Sequence, residues 1–551
     1  MSDSLLITAL CASLLRSVIV CSIAGLLLPR FSGWMQRSGT RAARMTRELL
    51  CVLPFFTPDL LTGFHYRLTA SAWAGISGGI SYVLLTELLY GILQLFRAVA
   101  LGMLLRHIIP APTDSSEALY SWQLLRSRIP RLRWYREWCR LQLAGPWRNP
   151  LLTWSLTAVV IFQEFETAAL MQIDQHPWSW SVCLFDAHAA WQPLSASLRL
   201  AAQGLLVELL LLLPGLVAAG CSRNSREPQP DTRGSSVTTA AGPTVTAVLL
   251  VSLSMTLLIL TPMVTSAQPA LRGIRFITAD PVTVQRTCAS LATSVACSVA
   301  AAVCALGIAS RMNFEHGWRS GLHLAITAAL LLPGLAGPLI LSLGLQSLFQ
   351  LPLLRPVWDT WLPQLLGQTL WLLPRAFAAA QLLWTAERGE SLHAATLLLH
   401  APDSRRRWFA AVLLWRLQDL PLMMALLLLT QWAFWDVTTA SLLHPLTFEP
   451  VVTRLYNEMH FARTDALLGL SAVAVAAPAA CLACGAAALL LKRLHRARLQ
   501  SARTQTNPGP GRPGSELVSE SRLTRCSKSA RLTQYRSPRS PRSRRPPPPP
   551  P

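Results

Sequence analysis

The chain has 551 residues, 52% of them hydrophobic and only 14% charged, with a positive mean hydropathy of +0.38. That balance excludes the usual soluble domain and marks an all-α polytopic membrane protein. The formal net charge is +22, but 15 basic and two acidic residues lie from Lys492 onward, and most other basic residues are arginines between apolar runs. The charge therefore predicts contact with membrane lipids and no nucleic-acid partner.

The N-terminus, Met-Ser-Asp-Ser, lacks a basic region, and no cleavage site of small residues closely follows the first apolar run, so 5–28 reads as a retained span. A spanning helix needs about 20 apolar residues. Eleven runs qualify: 5–28, 49–68, 76–105, 150–171, 197–219, 244–263, 288–309, 323–349, 363–384, 418–442 and 465–491. The segments 49–68 and 76–105 fix the exact count least well. With the N-terminus outside, the cytosolic loops hold 22 arginines and the external loops six. That asymmetry predicts a cytosolic C-terminus and a multi-pass protein of the cell (inner) membrane.

A repeat of very long period organises these spans. Leu53-Pro54 recurs as Leu332-Pro333, Arg97 as Arg375, and Arg140-Leu141-Gln142 as Arg416-Leu417-Gln418. Phe162-x-Glu164-x-x-Thr167-Ala168 recurs as Phe434-x-Asp436-x-x-Thr439-Ala440, and His188 as His460. The offset drifts smoothly from 279 to 272, as a few deletions would make it. Six spans separate 49–68 from 323–349, so the copies share one orientation and the repeat is parallel. The domains expected are a first half over 1–219, a cytosolic linker over 220–243, a second half over 244–491 and a disordered basic, Pro-rich cytosolic tail over 492–551. The tail ends in polyproline II and is either a solvated extension or a contact for anionic headgroups or a docking partner.

The ionisable residues inside apolar runs are the candidates for function. Glu164 and Asp436 each share a helical face with Thr167 and Thr439 respectively, which suggests a polar lining of a translocation path; the competing reading is that they reach the outer interface. Arg97 and Arg375 read as side chains snorkelling to the inner headgroups. His188 and His460 fall in external loops with no second ligand at fixed spacing, so loop packing is expected and no metal site. Cys481 and Cys484 have redox-motif spacing but sit among small residues suited to helix packing. There is no phosphate-binding loop, paired metal ligands or nucleophile elbow, so no catalytic residue and no cofactor is expected, and the chain does not read as an enzyme.

Two basic loops occupy corresponding places in the halves. In the first, Ser116-Glu117-Ala118-Leu119 precedes Arg126, Arg128, Arg131, Arg133 and Arg136. In the second, His393-Ala394-Ala395 opens about two turns of amphipathic helix with Leu392, Ala395 and Leu399 on one face, stopped by Pro402-Asp403-Ser404. These loops resemble the cytoplasmic loop of binding-protein-dependent ABC importer permeases: Glu-Ala-Ala, three residues, Gly, then a basic stretch and an apolar helix. His393 and Leu399 replace the family's Glu and Gly in the second loop; Leu119 and Gln123 replace Ala and Gly in the first. With Thr447-Phe-Glu-Pro-Val-Val-Thr-Arg-Leu-Tyr456, the layout resembles the fused two-half permeases of iron(III) and thiamine importers, over nearly 450 residues. The resemblance implies the type I importer permease fold and two bundles around a central path. It also implies a cytosolic ABC ATPase dimer seated on Glu117, Ala118, Ala394 and Ala395, and an external substrate-binding protein that chooses the solute. The rival readings are a secondary carrier, and a membrane scaffold descended from a permease; basic amphipathic loops resting on headgroups fit either.

Overall fold

The computed structural model describes residues 3–35, 41–77, 79–108, 123, 130–172, 179–190, 193–221, 244–314, 319–385, 389–399, 404–460 and 464–506. About 91% is helical and the described residues include no strand. Among the described residues, seven helices are long and apolar enough to cross a membrane, or eight if one bent pair is a single span. The protein is thus an all-α polytopic membrane protein, with several of the expected spans broken.

The first bundle runs α1 (Asp3–Met35), α2 (Arg41–Val52), a short 3-10 turn (Leu53–Phe56), α3 (Asp59–Ser77), α4 (Gly79–Ile108), α5 (Arg131–Ala144), α6 (Arg148–Phe162), α7 (Glu166–Met171), α8 (Trp180–Ala189) and α9 (Leu194–Cys221). An added helix follows, α10 (Thr244–Met255), which passes through a π turn (Thr256–Leu260) into α11 (Thr261–Ala279). The second bundle runs α12 (Pro281–Phe314), α13 (Arg319–Leu335), α14 (Gly337–Phe349), α15 (Leu362–Thr385), α16 (Gly389–Leu399), α17 (Ser404–Leu414), α18 (Leu420–Phe434), α19 (Val437–Leu443), α20 (Val451–His460) and α21 (Thr464–Thr506).

The packing recurs with the order. α1 lies on α4, α6 and α8, as α12 lies on α15, α18 and α20; α3 packs on α7 and α4, as α14 packs on α19 and α15. Each bundle has its own apolar core, one around Val20, Val99 and Val159, the other around Leu345, Leu372 and Leu429. A third cluster joins Leu60, Phe64 and Leu170 of the first bundle to Phe434, Val437 and Val452 of the second. Leu206, Leu210, Leu213 and Leu216 of α9 face outward, as helices solvated by acyl chains must.

Four of the expected continuous spans are corrected. The run 49–68 is interrupted between α2 and α3, where Pro54 and Pro58 cannot donate to a helix ladder. The run 150–171 stops at Phe162 and restarts at Glu166, and the run 418–442 stops at Phe434 and restarts at Val437. The run 323–349 bends by 113° between α13 and α14. Gly337 turns that corner at φ +83, a left-handed conformation that L side chains resist. α15 is helical throughout, but Gln364, Gln368 and Arg375 set it apart from the strongly apolar helices. The expected loops 172–196 and 264–287 carry α8 and the end of α11. α21 runs on to Thr506, because Lys492-Arg-Leu-His-Arg-Ala-Arg-Leu are good helix formers; the tail expected from 492 is therefore helical at its start.

The chain divides into two compact units, 1–390 with 416–489, and 391–415 with the chain from 490 on. The first holds the first bundle and the second bundle apart from α17, most of α16 and the end of α21. In the second, α16 is described as far as Leu399 and α17 begins at Ser404, and the expected stop at Pro402-Asp403 lies outside the described residues.

Candidate functional site

A broken helix leaves backbone N–H and C=O groups without ladder partners, and in a membrane those groups need a protein partner or a polar cavity. Side chains meet part of that demand here. Glu164 accepts the N–H of Thr167 at 2.6 Å, at the start of α7. Asp436 caps α19 in the same way, accepting the N–H of Thr439 at 3.1 Å and the Thr438 hydroxyl at 3.0 Å. Gln163 bridges the two bundles by donating to the Leu335 carbonyl at 2.5 Å, beside the Gly337 corner. Buried Glu208 of α9 holds the same Gln163 side chain.

The breaks surround one cavity of about 140 Å³. The first bundle lines it with Asp59, Gln94, Arg97, Glu164 and Glu166, and the second with Trp371, Arg375, Gln431, Trp432 and Trp435. Arg97, only 4% exposed, is ion-paired with Asp59 and donates to the hydroxyls of Thr167 at 3.0 Å and Thr62 at 3.1 Å. Arg375 donates to the Trp371 carbonyl at 2.9 Å, and its guanidinium lies 4.2 Å from the Trp371 ring centre and 5.5 Å from that of Trp432. Glu164 also accepts the Tyr90 hydroxyl, and Glu166 accepts the N–H of Val437 across the bundle interface. Behind Tyr90, Arg16 pairs with Glu87 at 2.7 Å, and Gln172 donates to Glu87 at 2.5 Å.

Of the four path residues expected from sequence, Glu164 lines this cavity. Asp436, Thr167 and Thr439 stand behind its wall, joined to it by the bonds above. Glu164 does not share a continuous helical face with Thr167, because the helix breaks between them; the acid is a cap. Arg97 and Arg375 do not reach for headgroups. Each finds a partner inside, a carboxylate for one and two indoles for the other, which removes the reason to snorkel. Sequence reading missed Asp59, Glu166, Arg16 and Glu87. The available signal was that each is ionisable within or beside an apolar run.

Glu117 and Ala118 lie outside the described residues. Ala394 is exposed on α16 and Ala395 is buried. His188 ends α8 beside Gln346, and the side chain of His460 lies outside the described residues. Cys481 and Cys484 are exposed on α21 rather than buried in a helix contact. No group of three His, Cys, Asp or Glu among the described residues is placed to hold a metal ion.

A second polar cluster lies where α12 begins. Arg286 pairs with Glu449 at 2.9 Å, and Arg454 donates to Thr283 at 2.9 Å. Hydrogen bonds from the Thr283 hydroxyl and the Val282 N–H hold the Asp280 carboxyl below the usual carboxylate range.

These features define a membrane protein of paired helical bundles around a charged internal cavity. No family model matches the chain, and neither does any of the curated proteins or solved structures compared with it.

Proposed function

We propose that the chain is the transmembrane permease of an ABC-type importer of the fused two-half kind, moving a small solute across the inner membrane with its N-terminus outside. One observation carries this reading: the order and packing of one bundle recur in the other, and the broken helices of both meet at a single charged cavity. Helices broken at membrane depth around a polar site are how transporters bring backbone and charged groups to a solute. The two bundles are then copies of one unit, and alternating access is their relative rearrangement, driven by ATP binding on separate cytosolic subunits. The basic loops around Glu117, Ala118, Ala394 and Ala395 seat those subunits, and an external binding protein delivers the solute.

A secondary carrier is the second reading, favoured by the buried carboxylates and guanidiniums, since intramembrane acids and bases also serve ion-coupled transport. Co-purification in detergent, followed by ATP hydrolysis and uptake in vesicles, separates the two. An importer brings down an ATPase whose hydrolysis drives uptake. A carrier takes up solute alone, along an ion gradient.

A further inference from the structure

The cavity carries more than its place on a path. We propose that it binds a small planar organic cation of the guanidinium class, a reading that rests on the cavity being a solute site.

Charge comes first. The carboxyl groups of Asp59, Glu164 and Glu166 line the cavity against only two guanidiniums, Arg97 and Arg375, with Asp436 a fourth acid behind the wall, and the neighbouring Arg16–Glu87 pair cancels itself. Uncompensated charge away from water is costly, so a bound cation is stabilised where an anion would meet the carboxylates. Arg97 offers an anion little, because its terminal nitrogens are engaged by Asp59, Thr62 and Thr167.

Independent of the acids, Gln94 is fully buried on the cavity wall, and neither its amide oxygen nor its nitrogen has a protein partner. A buried acceptor without a partner is a stored demand for a donor, and a guanidinium presents five N–H groups in one plane.

The aromatic wall selects shape. Trp371 and Trp432 already hold the guanidinium of Arg375, so this protein's own side chain serves as a tethered example of the ligand. Phe55 and Phe56 pack against Trp432 at 5.7 and 5.9 Å and fix its plane. Size sets the limit: about 140 Å³ is close to the ~150 Å³ engineered cavity that accepts benzene, so the ligand is a simple alkylguanidine or amidine.

The test is calorimetric titration of the purified full-length protein in detergent with methylguanidine, tetramethylammonium and sulfate. Saturable binding of methylguanidine alone is expected. Gln94→Leu, which roughly keeps the volume and removes the amide, should weaken it by about tenfold or more while the ligand-free melting temperature holds or rises. Glu166→Gln should weaken it likewise. The proposal is overturned by absence of saturable methylguanidine binding, by equal affinity for tetramethylammonium or sulfate, or by unaltered binding in both variants. Binding without uptake would sink the transport reading and leave the site standing; uptake without binding would do the reverse.

Discussion

Arg97 and Asp59 form an ion pair inside the membrane-spanning body, with the arginine almost wholly buried and the acid opening onto the cavity. Removing one partner leaves the other unpaired, whereas removing both need cost little. Asp59→Ala should therefore destabilise the protein by ~3–5 kcal/mol. Pairing Asp59→Leu with Arg97→Met should recover much of that loss. Thermal unfolding of the single and double variants in detergent checks both; equal losses would deny the pair its structural role.

Gly337 should resist substitution more than its neighbour Gly344. At φ +83 an alanine is strained by about 1–2 kcal/mol, and its Cβ would stand 2.8 Å from the Gln163 side chain. Nothing lies within 4 Å of a Cβ at Gly344, on the exposed face of the same helix, so Gly344→Ala should be neutral or mildly stabilising. Melting temperatures of the two variants settle the contrast.

Glu164→Gln combined with Asp436→Asn should lower uptake while preserving the fold. Both amides keep an acceptor oxygen for the N–H groups of Thr167 and Thr439, so the caps survive and the charges do not. Uptake at the wild-type level in well-folded protein would assign both acids to capping alone.

Reporter fusions at Asp114, Gly234 and Gln505 should read cytosolic, and those at Gln175 and Pro450 external. Loop arginines set this expectation. A cytosolic reading at Gln175 would break the parallel arrangement of the halves.

Asp280 supplies a pH test outside the spans. Its folded pKa is depressed, so its contribution to stability is complete above the ordinary carboxylate value near ~3.9 and disappears as pH falls through the folded value. The melting temperature of Asp280→Asn should trail wild type at neutral pH, with the gap closing only in strong acid. A gap independent of pH would mean the charge is not what matters.

The sequence exposed the architecture better than the site. Apolar runs and arginine placement identify a polytopic helical protein, and the pairs Glu164/Asp436 and Arg97/Arg375 emerge from the repeat alone. Hydropathy averages over a window, however, and cannot register a break three residues long, so Gln163 and Glu164 read as the interior of a span. Asp59 and Glu166 have no like residue at the repeat's offset, so the repeat does not single them out. The inward partners of the arginines are hidden for a related reason: snorkelling is inferred from distance along one helix, whereas Asp59 and Trp432 come from others.

The bridge from Gln163 to Leu335 has no mirror image. By the register of the repeat, Trp435 stands where Gln163 does and Phe56 where Leu335 does, so the bridging amide of one copy is an indole in the other, and Phe56 packs instead on Trp432, ring centres 5.9 Å apart. A symmetric homodimer must build every contact twice from the same residues. Joining both bundles in one polypeptide lifts that constraint, letting one joint stay rigid while its twin adapts. Mutational drift should then be unequal between the two, with the Gln163 joint the less tolerant of change.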